Sequence, residues 1–323
     1  MAAATCAHLL RRAGFDPVIE PCTRPKLPAI MIGQATQHLM SDVLKRPDLF
    51  AGLTEIRKRV VCWGENAALV TLPHSAVIAP EQLLLDRLQL DLPAQHDGPT
   101  DWTIVASPPL PERSQIHPFG SRFASAARVN LKSHTADAAC WVESVSNGWL
   151  FLLPDGSQGG WMLSVGAEPE ALLAESRLVA AQIESIAKTG GRFPAHPRVI
   201  DPLCGADGWL ACGSAAMGFD PLCGDGAGNA TREAILASAA IQAILLEGAD
   251  PNAILDHYQS RLLSGFQRHL EVCHEFYSHG GRGDWWDAER EAIREGLAWV
   301  TKRLNGQPMY RFRLNGFMLE PIR

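Results

Sequence analysis

The sequence predicts an α/β protein that combines a strand-to-helix unit, an antiparallel sheet and a C-terminal helical block. A strand-like run at 208–212 leads through a glycine-rich turn into a long helix-forming segment. Asn-Gly and Asp-Gly pairs separate the strand-like runs of 119–166, and such pairs are typical of hairpin turns. From Pro251 onward, apolar residues recur at helical spacing.

The first quarter of the chain alternates between helical and strand-like segments. Residues 2–13 are rich in alanine and leucine and predict a helix. The run "DPVIEP" predicts a short buried strand that ends at Glu20. Residues 38–53 predict a helix interrupted at Pro47, and residues 56–78 alternate in part, which predicts two or three strands.

Further elements follow in the same way. We expect a helix to begin at Pro80, because proline suits the first helical position, and a strand to cover 102–107. Residues 169–188 predict an amphipathic helix that a Gly-Gly pair stops. The helical pattern of the C-terminal block breaks at 280–284, and the last segment alternates as a strand or an extended arm does.

Composition and charge exclude several classes of protein. The chain has 323 residues, of which 46% are hydrophobic and 20% charged, so it can build a large core. The net charge is −6 and no Lys/Arg stripe is present, so we expect no nucleic-acid partner. The longest apolar run, Ala234–Leu246, is too short to span a bilayer. With no secretory leader evident, we expect a cytoplasmic protein.

The eight cysteines predict neither a zinc knuckle nor a redox motif, because no two have C-x-x-C spacing, and we expect them to be mostly reduced. His269 and Cys273 share a helix face, which could serve a metal ion. No carboxylate or second cysteine completes a plausible shell, so we expect no metal site and regard Cys212 and Cys223 as bystanders. The absence of a G-x-S-x-G elbow argues against acyl transfer.

The glycine-rich turn after 208–212 predicts a place where backbone approaches a ligand. Gly213 follows the strand directly, and Gly224 and Gly226 leave the N–H groups of the turn uncovered. The helix from about Asn229 directs its positive end at the turn, which suits a phosphate or the carbonyl edge of a flavin ring. The turn is no P-loop, because no G-K-[ST] follows. A tight connection without a ligand is the alternative.

The stretch "WLACGSAAMGFDPLCGDGAGNATREAILASAAI" resembles the second FAD fingerprint of flavoprotein monooxygenases with the p-hydroxybenzoate hydroxylase fold. That family includes geranylgeranyl reductases and flavin-dependent halogenases. The resemblance is close over 208–240 and loose over 2–247. It implies a Rossmann-like FAD-type domain with an inserted antiparallel sheet domain. The cofactor-binding residues that it implies are Glu20, Gly213, Ser214, Asp220, Pro221, Gly224, Asp225 and Gly226.

This chain departs from the family pattern at three places. The family has a strand and a G-x-G-x-x-G motif before the first helix, whereas this chain begins at Met1 within that helix, as in an N-terminally truncated member. Ser214 stands where the family has an aspartate, and Pro80 stands near the place of an arginine. The resemblance therefore implies FAD that is held weakly.

The resemblance also implies a substrate site and a division of the chain. The run "ESVSNGWLFLLP" is similar to the substrate-domain strand G-W-x-W-x-I-P of halogenases, with Trp149 kept and Phe151 in place of the second tryptophan. Both residues are expected to bind substrate. The division assigns 1–55, 76–110 and 195–248 to the FAD-type domain, 56–75 and 111–194 to the sheet domain, and 249–323 to the helical region.

The function implied is that of an FAD-dependent oxidoreductase of the monooxygenase type. Its substrate would be an aromatic small molecule or an aromatic group borne by a protein. The turn is similar to that of flavoenzymes that hydroxylate a protein tryptophan during maturation of a quinone cofactor. The sequence assigns no catalytic residue and no oligomeric state. The alternative is a binding or scaffold protein that keeps the fold with weak FAD binding or none.

Overall fold

The computed structural model describes residues 1–20, 25–65, 67–88, 100–112, 114–133, 135, 138–156, 158–306 and 311–322. Its helices are α1 (Ala2–Arg12), α2 (Gln34–Leu44), α3 (Glu81–Leu88), α4 (Pro169–Glu175), α5 (Gly213–Ala216), α6 (Gly226–Leu245), α7 (Pro251–Gly280) and α8 (Asp284–Asn305). Its strands are β1 (Ile30–Gly33), β2 (Thr54–Cys62), β3 (Val70–Ala79), β4 (Thr103–Val105), β5 (Gln115–Pro118), β6 (Phe123–Leu131), β7 (Ala139–Val145), β8 (Gly148–Pro154), β9 (Gly159–Val165), β10 (Ile183–Pro194), β11 (Arg198–Asp201), β12 (Cys204–Gly205), β13 (Trp209–Ala211), β14 (Met217–Gly218), β15 (Phe312–Asn315) and β16 (Met318–Pro321).

The largest sheet has eight strands in the order β1-β3-β2-β7-β8-β9-β6-β10. Its neighbours are antiparallel except β2 and β7, which are parallel. The Asn-Gly pair joins β7 to β8, and Gly148 has φ 150°, a conformation that favours glycine. The α/β fold class and the antiparallel sheet are thereby confirmed.

The predicted division of the chain remains a prediction, but two of its boundaries cut strands of this sheet. The boundary between residues 55 and 56 falls inside β2, and that between residues 75 and 76 falls inside β3. Strand β1, which the division gives to the FAD-type domain, pairs with β3 as an edge strand. Residues 89–99 of the predicted FAD-type domain lie outside the described residues.

A small three-stranded sheet holds the strand that precedes the glycine-rich turn. Strand β13 pairs in parallel with β4 and antiparallel with β12. The N–H of Cys212 donates to the carbonyl of Val105 at 2.9 Å, so the end of β13 is fixed where the turn begins. The predicted strands at 102–107 and 208–212 are both confirmed, each shorter than expected.

Helix α6 packs against α1, α2, α5 and α7, and most of its residues are buried. It begins at Gly226, three residues before the expected start. Its alanine-rich sequence leaves room for α1, which packs against it and forms part of the same core. Among the described helices, none is long and apolar enough to cross a membrane.

The C-terminal helical block consists of α7 and α8, and the break between them at residues 281–283 matches the prediction. The block covers one part of the large sheet. Trp286 of α8 is fully buried, and its Nε1 donates to the carbonyl of Val145 at 2.9 Å. The last segment forms the hairpin β15–β16.

Two predicted elements are wrong. Residues 15–20 form no strand, although the sequence "DPVIEP" predicts one. The helix expected over 169–188 ends at Glu175, and β10 runs through the Gly-Gly pair that was expected to stop it. The cause is Glu143 of β7, whose carboxylate accepts the backbone N–H groups of residues 177–179 and so holds them in a turn.

Seven of the eight cysteines lie within the described residues, and all seven are free thiols. Their reduced state in the cell stays a prediction. The remaining one, Cys22, lies outside the described residues.

Candidate functional site

A cavity of about 920 Å³ lies where the glycine-rich turn, the start of α1 and the large sheet come together. Met1 and Ala2 line it at the N-terminus of α1, and Gly226 lines it at the N-terminus of α6. Among the described residues, no side chain caps the N-terminus of either helix, and both N-termini lie at the cavity wall. Two helix N-termini make this end of the cavity electropositive.

The turn itself is built as the glycine pattern predicts. Asp220 accepts the N–H of Leu222 at 2.8 Å and so opens a 3₁₀ turn over Pro221–Cys223. Gly224 ends that turn with φ 63°, where a side chain is strained. Asp225 precedes α6 and accepts Thr36 Oγ1 at 2.7 Å and Arg232 Nη1 at 2.6 Å, which ties the turn to α2.

Asp220 is buried and anchors the turn to three other parts of the fold. Its Oδ2 accepts Arg122 Nε at 2.7 Å and Tyr277 Oη of α7 at 2.8 Å. Arg122 also donates to Glu289 of α8. Burial works against the charged form of Arg122, yet the facing oxygens of Tyr277, Asp220 and Glu289 hold its pKa above the ordinary value. We call Arg122, Asp220, Tyr277 and Glu289 the buried ion-pair network.

Three further predicted cofactor-binding residues also line the cavity. Gly213 has φ 56°, and a Cβ there would lie 2.8 Å from the Cβ of Ala2, so only glycine lets α1 approach this closely. Ser214 is exposed and donates to the carbonyl of Ala106 at 3.3 Å. Glu20 is exposed on the cavity wall. The cavity therefore brings together the cofactor-binding residues that the resemblance implied, although their role stays a prediction.

Glu233 and Arg198 were not predicted as site residues, yet both line the cavity. Each has one buried side-chain atom that has no hydrogen-bond partner among the described residues. Glu233 Oε2 accepts the N–H of Gly213 at 2.6 Å, while its Oε1 is unpartnered. Burial raises the pKa of Glu233 to about 8, so the group is protonated at neutral pH. Arg198 donates to the carbonyl of Ser214, its Nη1 is unpartnered, and burial lowers its pKa.

The sheet wall of the cavity is apolar and aromatic, and it includes Phe151, Trp161, Leu163 and Phe193. Trp149, which the resemblance implies in substrate binding, does not line this cavity. Trp149 and Phe151 share a sheet face by alternation, but the helical block covers that face at Trp149. Its side chain is 1% exposed and donates Nε1 to Tyr277 Oη at 3.1 Å.

The expectation that no second cysteine lies near His269 and Cys273 was wrong. The Sγ atoms of Cys223 and Cys273 are 3.9 Å apart, and Cys273 Sγ is 3.4 Å from His269 Nε2. Cys223 is part of the turn and lines the cavity, whereas Cys273 is buried in α7. No local pattern in the sequence predicts this group, because 50 residues separate the two cysteines.

The fold resembles those of several flavin-dependent enzymes in solved structures. CmlS, a flavin-dependent halogenase, has a TM-score of 0.74 at 17% identity, over 94% of this chain and 69% of that one. The peptidyl tryptophan dihydroxylase QhpG has a TM-score of 0.72 at 18% identity, over 100% of this chain and 84% of that one. PnpA, a p-nitrophenol 4-monooxygenase from Pseudomonas putida DLL-E4, has a TM-score of 0.65 at 14% identity, over 95% and 96%.

No family model matches the chain, and a search of curated proteins finds no relative. At these low identities, the likeness concerns the fold. The chain has the fold of the flavin-dependent halogenases and monooxygenases, which the fingerprint at the glycine-rich turn predicted.

Proposed function

We propose that this protein is an FAD-dependent oxidoreductase of the monooxygenase type. The observation that carries the proposal is that one cavity joins the glycine-rich turn and two helix N-termini to an aromatic sheet wall. A cofactor and an apolar substrate need these two surfaces side by side. The fold shared with flavin-dependent enzymes supports the same assignment.

The residues of the cavity fit a flavin nucleotide. The N-termini of α1 and α6 offer N–H groups and a positive field to the phosphates and to an electron-rich ring edge. Arg198 carries a buried N–H with no protein acceptor among the described residues, which a bound anion would satisfy. Gly224 and Gly226 let the ligand reach the backbone. A flavin bound here would supply two-electron chemistry with dioxygen.

The chain's own groups have separate roles in this proposal. Phe151, Trp161 and Leu163 hold an aromatic substrate against the sheet and exclude water from it. Glu233, protonated at neutral pH, keeps a proton at the base of the turn and accepts the N–H of Gly213. Arg198 stabilises negative charge at the cavity wall.

The first experiment is a titration of the purified chain with FAD, followed by the visible spectrum and by flavin fluorescence. We expect saturable binding with a shifted visible band. If no band shifts at millimolar FAD, the oxidoreductase proposal fails and the alternative of a scaffold protein with the same fold stands.

Replacing Gly224 with alanine should weaken FAD binding about tenfold, which corresponds to about 1.4 kcal/mol. The added methyl group meets Met31 Cε at 3.8 Å, so the fold has room for it, but it occupies the cavity wall. The dissociation constant from fluorescence measures the effect.

Gly248→Ala is the matched control, because Gly248 has φ 66° against 63° for Gly224 and stands in open space. Both variants should lose about 1–2 kcal/mol of stability from backbone strain. Only Gly224→Ala should change the affinity for FAD. Equal affinities in the two variants would place the cofactor away from this turn.

We propose that the substrate is aromatic and, more narrowly, that it is a tryptophan side chain of a protein. QhpG, which matches over the whole of this chain, is by its name a peptidyl tryptophan dihydroxylase. We expect the FAD-loaded protein, once reduced with dithionite and exposed to air, to add oxygen to a tryptophan peptide. Mass spectrometry should detect no addition to the same peptide with leucine in place of tryptophan. Equal oxidation of both peptides would contradict the aromatic assignment.

A further inference from the structure

Cys223 and Cys273 form a thiol pair at the edge of the cavity. Their Sγ atoms are 3.9 Å apart, close enough for an S–H hydrogen bond. Cys223 lies in the 3₁₀ turn and is partly exposed to the cavity, whereas Cys273 is 0% exposed on α7. A reagent that enters the cavity therefore reaches Cys223 first.

The surroundings shift the pKa values of the two thiols in opposite directions, so that Cys223 favours the thiolate and Cys273 keeps its proton. The hydrogen bond from Cys273 lowers the pKa of Cys223 to about 6, while burial and the charge of Asp220 oppose this shift. The pKa of Cys273 is raised well above its ordinary value by its bond to Cys223, by burial and by Asp220, with Arg122 opposing. At neutral pH, Cys223 is the nucleophile of the pair.

The two sulfurs and a ring nitrogen of His269 lie within 4.8 Å of one another, a separation that also suits a metal ion. Two features favour thiol chemistry instead. The backbone N–H of Asp220 donates to His269 Nε2 at 2.9 Å, so the lone pair of that nitrogen is already used. The nearby carboxylate of Asp220 is held by Arg122, Tyr277 and Leu222, which leaves it no role as a fourth ligand.

We propose that Cys223 and Cys273 are a redox-modification site that a hydroperoxide converts into a disulfide. The Cys223 thiolate attacks a peroxide oxygen, the O–O bond breaks, and a sulfenic acid forms while the leaving hydroxide takes a proton and becomes water. Cys273 then attacks the sulfenic sulfur, the S–S bond forms, and a second water leaves. Two thiols and hydrogen peroxide thus give one disulfide and two waters.

The proposal does not rest on the proposed flavin function, because the oxidant can be added as hydrogen peroxide to the protein alone. An S–S bond is ~2.05 Å long, so the sulfurs must approach each other by roughly 1.9 Å. Oxidation would therefore draw the glycine-rich turn toward α7. Reduction by a dithiol would release the turn again.

A second cysteine pair in the chain shows whether a short distance between two sulfurs is by itself enough for oxidation. Cys6 of α1 and Cys212 lie 4.0 Å apart, nearly the same separation, but both are fully buried. The pKa of Cys212 is raised well above its ordinary value by the hydrogen bond to Cys6 and by burial. If environment decides reactivity, this second pair should stay reduced under conditions that oxidise the first.

The experiment treats the reduced full chain with increasing hydrogen peroxide and maps disulfides by mass spectrometry of peptides prepared without reductant. We expect a Cys223–Cys273 cross-link that dithiothreitol reverses. Alkylation of Cys223 by iodoacetamide should rise with pH around a midpoint of about 6. Its rate at pH 7 should exceed that of Cys212 at least about tenfold.

Two single variants separate the steps, and circular dichroism checks that each is folded. Cys273→Ser should keep the sulfenic acid at Cys223, where dimedone traps it, and Cys223→Ser should leave Cys273 unmodified. Three results would each overturn the proposal: equal cross-linking of Cys6 to Cys212, irreversible oxidation of Cys223 with no cross-link, or stoichiometric zinc in the reduced protein that blocks both thiols.

Discussion

Replacing Arg122 with methionine should lower the free energy of unfolding by about 3–5 kcal/mol, because it leaves two buried carboxylates without their cationic partner. The side chains of Arg122 and Asp220 are both 0% exposed, and that of Glu289 is 2% exposed. Without the guanidinium, Asp220 keeps its bonds to Tyr277 and Leu222 but loses its ion pair with Arg122. Urea unfolding followed by circular dichroism measures the change.

Arg57→Met is the matched control for this prediction. Arg57 pairs with Glu55 at 2.8 Å, but the two side chains are 74% and 61% exposed, so we expect a loss below about 1 kcal/mol. Adding Glu289→Gln to Arg122→Met should recover part of the stability, because one of the two unpaired buried carboxylates is replaced by a neutral amide. Equal losses in Arg122→Met and Arg57→Met would contradict a stabilising role for the buried network.

Replacing Glu233 with glutamine should remove a pH dependence of stability between pH 4.5 and about 8. The pKa of Glu233 rises from 4.5 to about 8 on folding. A group with a raised folded pKa contributes its full stability below the unfolded pKa and loses it as the pH rises through the folded pKa. In the wild type, this group alone should lower the free energy of unfolding by about 1.4 kcal/mol per pH unit in that window.

Urea unfolding at several pH values between 4.5 and 9 tests this expectation. The Glu233→Gln variant should be the more stable protein at pH 8, since it has no proton to lose, and its Oε1 can still accept the N–H of Gly213. Glu247→Gln, at an exposed position just after α6, is the control and should keep the wild-type slope. If the free energy of unfolding varies with pH in the same way in all three proteins, Glu233 is ionised at neutral pH and the prediction is wrong.

The parts of the fold that the sequence predicted are those encoded by local signals. The hairpin pairs, the strand into Gly213 and the helix after Gly226 depend on residues within a few positions of one another. The residues of the turn that the resemblance implies as cofactor-binding lie within one contiguous stretch, 213–226, and their role stays a prediction. In the folded chain these residues line the cavity.

The failures come from contacts between distant residues. The helix predicted over 169–188 was lost to Glu143, which lies more than 30 residues before the N–H groups that it holds. The resemblance that implied Trp149 in substrate binding carries no information on what covers its side chain, which in the fold is Tyr277 of α7, far away in the sequence. Arg198 and the Cys223–Cys273 pair had no signal at all, since only the folded chain brings their neighbours together.

Asp220 has a consequence for how this chain can be engineered. Its carboxylate accepts hydrogen bonds from Arg122, which precedes β6, and from Tyr277 of α7. Arg122 in turn donates to Glu289 of α8, so the turn is connected to both C-terminal helices. The C-terminal helices are therefore not an exchangeable module. A chimera that imports them from another protein must import compatible partners for Asp220 as well, or the turn will lose its anchor while every residue of its own motif is intact.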